Sequence, residues 1–496
     1  MSAPNSDEGQ KLDSPQPPGG LWRVCPVCKK LNPDGIEYCR YCWGASLNSV
    51  KSMTYAEAIV SSKQSVKSKK QRSSARIAII ALVALIILLG TGFRYIYSYT
   101  DLLWGPVSGM NSDSLPGDWA MFRHDLDRTG STNDSSAQPQ GEPAWSFQTG
   151  GEIHSSPAVV DGVVYFGSED YNFYAVDAVM GHLLWKFQTG SYVDSSPAVV
   201  NGIVYFGSND GYLYALNAGS GQKLWAFKTR YAVESSPAVT DGKVYFGGDD
   251  GYVYCLNAEN GKKIWRFNTK NWVTSSPAVV NGILYVGTMD GSLFALNAND
   301  GRFRLKFDAS GSVFSSPAVN DGEIYFTDHG NGVLYGVNGK GRTWPWEGFL
   351  RPMWLQMSMM DIAPSPPLIS GAPWAIRLLL DPNNPGLGWA ATSDATSITS
   401  GSNIYTTGSN LVFSIDGTTH KIQWLFKTED NITSSPALAN NVLYVGGSDG
   451  YLYAVDAQNG TKLWDYATGG TITSSPAQAD GVIYFGSNDG KMYAVK

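Results

Sequence analysis

Four of the five cysteines fall in CPVCKKLNPDGIEYCRYC, as Cys25-x2-Cys28 and, after ten residues, Cys39-x2-Cys42. Two such knuckles offer four thiolates to a tetrahedral Zn²⁺, and so short a stretch has too little core to fold without a metal. Four protein ligands leave no position open to water, so the expected role is structural. Pairing as disulfides is the alternative, and it is disfavoured in the reducing cytoplasm, where the charge pattern below places this segment. Cys255 has no companion and reads as a small buried hydrophobe.

The remaining sequence offers little else that could do chemistry. The histidines (His124, His154, His182, His329 and His420) stand at unrelated positions, with no Ser-His-Asp spacing and no phosphate-cradling loop. Asp170, Asp210, Asp250, Asp290, Asp449 and Asp489 recur at turn positions, most of them next to glycine, as turn chemistry demands. Paired serines before proline recur too often to be nucleophiles, since a catalytic serine need occur only once. They read as backbone hydrogen-bonding groups near an axis.

That recurrence defines the elements. Ser-Ser-Pro ends at Pro157, Pro197, Pro237, Pro277 and Pro317, each 40 residues after the last, and again at Pro436 and Pro476. Within a unit the text is nearly constant, as in SSPAVVNGIVYFGSNDGYLYALNAGSGQKLWAFKT from Ser195. It gives four strands, A to D, joined by an Asx-Gly turn such as Asp161-Gly162, a turn at Asp210-Gly211, and a third at Gly221. Strand D carries Trp185, Trp225, Trp265, Trp424 and Trp464. A fixed period of four antiparallel strands is the arithmetic of propeller blades. Seven units are plain, and TSITSGSNIYTTGSNLVFSIDGTTHKIQW supplies an eighth, Ser397 standing for the proline. The last unit stops at Lys496 without strand D, and Trp145-Ser-Phe-Gln-Thr is expected to complete it and close the ring.

The SSPAV and YFGSxDGxLYALxAxxGxxLW pattern resembles the quinoprotein-type (PQQ-like) propeller family over residues 145–496, and DWAMFRHDLDRTG from Asp118 is similar to that family's lead-in. The resemblance implies one of two trades, quinone-dependent dehydrogenation or non-enzymatic assembly work like that of the BAM-complex lipoprotein. A dehydrogenase would imply adjacent cysteines in a vicinal disulfide, a stacking tryptophan, a calcium held by acidic and amide side chains and a catalytic aspartate. No two cysteines are adjacent here, so no enzyme and no PQQ are expected. The cysteine segment resembles the short zinc ribbons of prokaryotic membrane proteins, with Lys29 and Trp43 in place of the usual knuckle glycines.

Ile77 to Phe93 is 17 residues without a charge, about 25 Å as a helix, and with Arg94 and Tyr95, Tyr97 and Tyr99 it is expected to span a membrane once. Lys63, Lys67, Lys69, Lys70, Arg72 and Arg76 precede it, which places the N-terminus in the cytoplasm and the repeats outside. Residues 1–100 hold 13 Lys and Arg against 6 Asp and Glu, and the remainder holds 23 against 37. So acidic a large part argues against nucleic-acid binding.

From Pro317 to Ser397 the period doubles. The insertion, about 345–389, is apolar and rich in proline, which favours a loop over a ninth blade. Trp346, Phe349, Met353, Trp354, Met357, Met359 and Met360 form a candidate partner surface there.

The organisation expected is a disordered stretch over 1–20, a zinc ribbon over 21–48, a basic linker over 49–76, a transmembrane helix over 77–99, a linker and lead-in over 100–144 and an all-β, eight-bladed propeller over 145–496. The expected function is a membrane-anchored, extracytoplasmic, non-catalytic scaffold that binds a protein partner or an envelope polymer. A quinone-dependent dehydrogenase and a transmembrane sensor signalling through the ribbon are the alternatives.

Overall fold

The computed structural model describes residues 20–42, 45–64, 82, 85, 89, 118–132, 138–329, 333–341, 343, 374–377 and 397–496. The chain divides into two units, 1–94 and 95–496.

In the first unit, Trp22–Val24 pairs antiparallel with Leu31–Pro33, and a helix covers 55–64. Glu57 caps that helix from its third position: its Oε2 accepts the Thr54 N–H and hydroxyl at 3.0 and 2.9 Å, one arm of a capping box. The expected spanning helix is not borne out. Among the described residues no helix is long and apolar enough to cross a membrane, and the apolar run lies outside them apart from Leu82, Leu85 and Leu89, which are helical and exposed.

The second unit is the eight-bladed propeller. Blade 1 is Ala158–Val160, Val163–Gly167, Asn172–Asp177 and Leu183–Gln188, paired in that order. Its A–B turn places Asp161 at φ 49° and Gly162 at φ 72°, the left-handed pair that a two-residue hairpin needs and that Asx-Gly supplies. Strands B and C are buried along nearly their whole length, whereas strand D alternates between exposed and half-buried residues. Each sheet is thus sandwiched between neighbours near the axis and meets water only at its rim.

Tryptophans lock neighbouring blades. Trp185 Nε1–H donates to the Ala218 carbonyl at 2.8 Å and Trp225 Nε1–H to Ala258 at 2.9 Å, each ring lying against a C–D turn of the next blade. Gly221 is required there, because a Cβ would come within 2.6 Å of the Trp185 ring.

Two features depart from the repeat. The fourth strand of blade 5 is Trp374–Arg377, with Gly336 opposite Trp374, the register of Ala175 and Trp185 in blade 1. The insertion read as a loop therefore contains the blade's own strand D, displaced along the sequence. In blade 8, Pro143–Gln148 pairs with Lys491–Val495 as the fourth strand, so the ring closes as the sequence implies.

Around the axis the serines form a chain from blade to blade. Ser156 N–H donates to Ser196 Oγ, Ser196 N–H to Ser236 Oγ and Ser236 N–H to Ser276 Oγ, at 2.9 to 3.0 Å. Ser475 N–H joins blade 8 back to blade 1 on Ser156 Oγ at 2.8 Å.

Candidate functional site at the axial channel

One end of the channel is plugged by the chain itself. Residues 118–132 run round the axis and offer carbonyls to the innermost strands: Ala120 to Val199 N–H, Leu126 to Val279, Asp127 to Val319, Thr129 to Thr399 and Gly130 to Leu438. Ser131–Thr132 then adds a parallel strand to blade 7. Inner strands of a propeller have no neighbour on the axis side, and the plug supplies their missing partners. Arg128 is buried at its centre. Its Nε donates to the Pro277 carbonyl at 3.0 Å, Nη2 to Pro237 at 3.2 Å, and Nη1 to Phe122. Burial draws its guanidinium down to about 9, partly offset by Asp125.

The opposite mouth, beyond the serine ring, is where the repeat varies. Two positions per blade meet there, the residue before Ser-Ser-Pro and the first residue of the B–C turn. Blades 1 to 5 supply His154 with Glu169, Asp194 with Asn209, Glu234 with Asp249, Thr274 with Met289, and Phe314 with His329, and blades 7 and 8 supply Thr433 with Ser448 and Thr473 with Asn488. Within these pairs, Asn209 Nδ2–H donates to Asp194 Oδ2 at 2.8 Å, and the Phe314 and His329 rings lie 5.2 Å apart.

Acids gather on blades 1 to 3. His154 Nε2 lies 3.1 Å from Glu152 Oε2 and 3.4 Å from Glu169 Oε1, and these three groups together could hold a metal ion. Burial raises the carboxyls of Asp194 and Glu234 above their ordinary range. Asp249 is pushed up to about 7 by burial, then by Glu234 and Asp250. Asp194 Oδ1, Asn209 Oδ1, Asp249 Oδ1 and Thr274 Oγ1 are buried without a hydrogen-bond partner, three consecutive blades each carrying orphaned acceptors. Buried acceptors without donors are costly, and a cation arriving at the mouth would satisfy them.

In the ribbon unit the four cysteines do come together. Cys25 and Cys42 sulfurs lie 3.6 Å apart and Cys28 and Cys39 sulfurs 3.4 Å apart, close to the ~3.7 Å edge of a tetrahedron with zinc–sulfur bonds of about 2.3 Å. They could hold a metal ion. Lys29, where the usual knuckle has glycine, sits at φ 64°, the left-handed conformation glycine would adopt without strain.

Cys255 is fully buried, in agreement with its reading as core. The turn aspartates also behave as expected: Asp210 accepts the Tyr212 N–H at 3.0 Å, the Tyr214 hydroxyl at 2.7 Å and the Gly190 N–H at 2.8 Å. The apolar residues Trp346, Phe349, Met353, Trp354, Met357, Met359 and Met360 lie outside the described residues. The mouth was missed in the sequence, and so was the plug. The mouth's only signal is variation at two positions of an otherwise constant repeat, and the histidines that read as scattered include His154 and His329, which share its rim.

Comparison with curated proteins finds no sequence match. Among solved structures, the quinohemoprotein alcohol dehydrogenase of Comamonas testosteroni superposes with TM-score 0.61 at 17% identity, covering 77% of this chain and 81% of that one. A europium-containing methanol dehydrogenase gives 0.60 at 16%, covering 76% and 91%, and BamB of Moraxella catarrhalis gives 0.54 at 16%, covering 71% and 97%. Identities this low establish shared fold alone. They nevertheless correct the expectation that the chain is no enzyme, because that fold is shared with dehydrogenases as well as with BamB, and missing adjacent cysteines do not exclude catalysis. The sequence profile of the PQQ-like repeat family described as outer membrane protein assembly factor BamB matches residues 135–249, 249–365 and 376–496, and the chain belongs to that family.

Proposed function

We propose that this chain is a binding scaffold held at a membrane by residues 77–93, its propeller outside the cytoplasm and its zinc-loaded ribbon inside. The acid-lined channel mouth grips a cationic group of a protein partner. The observation that carries this reading is the run of orphaned acceptors at Asp194, Asn209, Asp249 and Thr274. The plug supports it, since its carbonyls already occupy the inner strands and leave the serine-ring end for a partner. The apolar insertion, with Trp346, Phe349, Met353, Trp354, Met357, Met359 and Met360, is the second proposed contact surface.

The test places photocrosslinkers in the full-length protein at positions 234, 354 and 459, the last on an outer C–D turn. Crosslinks to a protein partner from 234 support the socket, and those from 354 support the insertion. Crosslinks from 459 equal to those from 234 would remove the reason to single out the mouth.

A second reading, quinone-dependent dehydrogenation, is favoured by the same oxygens, which suit a hard cation such as calcium. PQQ itself carries three carboxyl groups, and none of the mouth positions named above is Lys or Arg. The mouth therefore fits the cation but offers the quinone's carboxylates no Lys or Arg at these positions. Calcium at the mouth would polarise an oxygen bound to it, while Asp194 and Asp249 would hold the ion in place. Titration with PQQ and calcium, followed by dye reduction with an alcohol panel, separates the readings: saturable quinone binding with turnover supports the dehydrogenase, and its absence supports the scaffold.

A further inference from the structure

A second site lies on the propeller's rim, between blades 2 and 3. A cleft of about 410 Å³ is lined by Lys228 and Arg230 from blade 2 and by Lys263 and Arg266 from blade 3. Tyr231 and Tyr252 flank it. Its size suits a small ligand or a short stretch of polymer.

Two observations set this cleft apart. The first is its departure from the repeat. The corresponding four positions between blades 1 and 2 are Gln188, Gly190, Lys223 and Ala226, and between blades 6 and 7 they are Lys427, Glu429, Lys462 and Asp465. Only here do all four carry positive charge among the junctions described, although over residues 101–496 acids outnumber bases 37 to 23.

The second is that these cations stand outside the ion pairs of the described residues. Among the described residues, none of the four makes an ion pair with a carboxylate. Lys228 Nζ donates to the Asp210 backbone carbonyl at 2.6 Å and lies 4.1 Å from the centre of the Tyr212 ring. The Arg266 guanidinium stacks 4.4 Å over Tyr252. Asp250, the one acid in the cleft, is already engaged, its Oδ2 accepting the Tyr254 hydroxyl at 2.6 Å and the Arg230 N–H at 3.1 Å. The rings hold the cationic heads in place, so less side-chain freedom is lost when an anion arrives.

We infer that this cleft binds an anionic saccharide, a sugar carrying carboxylate or phosphate groups. The guanidinium groups of Arg230 and Arg266 take the anion, as their planar forks suit, and the exposed Tyr231 ring offers a face for the sugar's C–H groups. The site stands apart from the channel mouth and does not depend on what binds there.

The test titrates the full-length protein in detergent with a tetramer of galacturonate, a neutral glucose tetramer and sodium sulfate. The uronate tetramer is expected to bind with an affinity that falls as salt rises, and the neutral tetramer and bare sulfate are expected to bind at least tenfold more weakly. The double substitution Arg230→Gln with Arg266→Gln should cut uronate affinity tenfold or more at an unchanged melting temperature, and Lys186→Gln, at the equivalent of Arg266 in blade 1, should leave it intact. If the double variant melts early, Lys228→Gln alone must still weaken binding. Uronate affinity untouched by these substitutions, glucose binding as well as uronate, or sulfate matching the oligosaccharide would each overturn the inference.

Discussion

Trp464 Nε1–H donates to the Pro139 carbonyl at 2.9 Å across 325 residues of sequence. Every other blade-locking tryptophan described reaches a C–D turn about 33 residues ahead. Blade 8 borrows its strand D from the start of the propeller, so the segment leading into that strand takes the place of the turn. The last lock is therefore made only when both ends of the repeat region have met.

Trp464→Ala should accordingly act on ring closure as well as on packing. Removing a half-buried tryptophan costs about 3 kcal/mol, and protease cleavage of the freed 138–148 segment should rise with it. Trp265→Ala, in a blade whose strands are consecutive, should destabilise the protein by a similar amount without exposing that segment. Limited proteolysis followed by mass spectrometry distinguishes the two.

Arg128 joins the plug to blades 3 and 4. Arg128→Ala would leave the Pro237 and Pro277 carbonyls buried without donors, a loss of about 3 kcal/mol. Hydrogen exchange at Val199, Val279 and Val319, whose amides are held by the plug, should rise together. Exchange unchanged at these amides would show that the plug does not need its arginine.

Asp249 makes stability depend on pH. Its folded carboxyl titrates at about 7, above the ordinary carboxylate range, because of burial and then Glu234 and Asp250. The folded protein thus keeps a proton that the unfolded chain has shed. This contribution is fully present below about pH 4 and is lost as pH rises through 7. Asp249→Asn should raise the melting temperature at pH 8 by about 2 °C and flatten its fall between pH 5 and 8. Calcium, if it occupies the mouth, should raise the melting temperature more at pH 8 than at pH 5.

Lys29 is held at φ 64°, so Lys29→Gly should stabilise the ribbon by about 1 kcal/mol. Chelation of the metal should unfold the ribbon and leave the propeller intact. Near-ultraviolet circular dichroism of the full-length protein during metal removal reads both, and loss of the propeller signal on chelation would contradict the separation.

What was legible in the sequence was local and repeated. Asx-Gly pairs fix the hairpins, tryptophans mark strand D, and seven copies of the same text make the blade count hard to miss. Trp374 was overlooked because an insertion pushes it beyond its place in the period, although backbone pairing sets it opposite Gly336 in the usual register. The plug was illegible for another reason. Its residues occur once, and their partners, from Val199 to Leu438, are set only by the closed ring. The acidic mouth combines the two difficulties, since Asp194, Glu234 and Asp249 are unremarkable singly and become a site only when three blades bring them to one axis.

The most direct measurement is calorimetric titration of the full-length protein with a lysine-rich peptide, at two salt concentrations, for the parent and for the triple variant Asp194→Asn, Glu234→Gln, Asp249→Asn. Gripping of a cationic group by the mouth predicts binding that weakens with salt and falls at least tenfold in the variant. Equal affinity in the two proteins would contradict it.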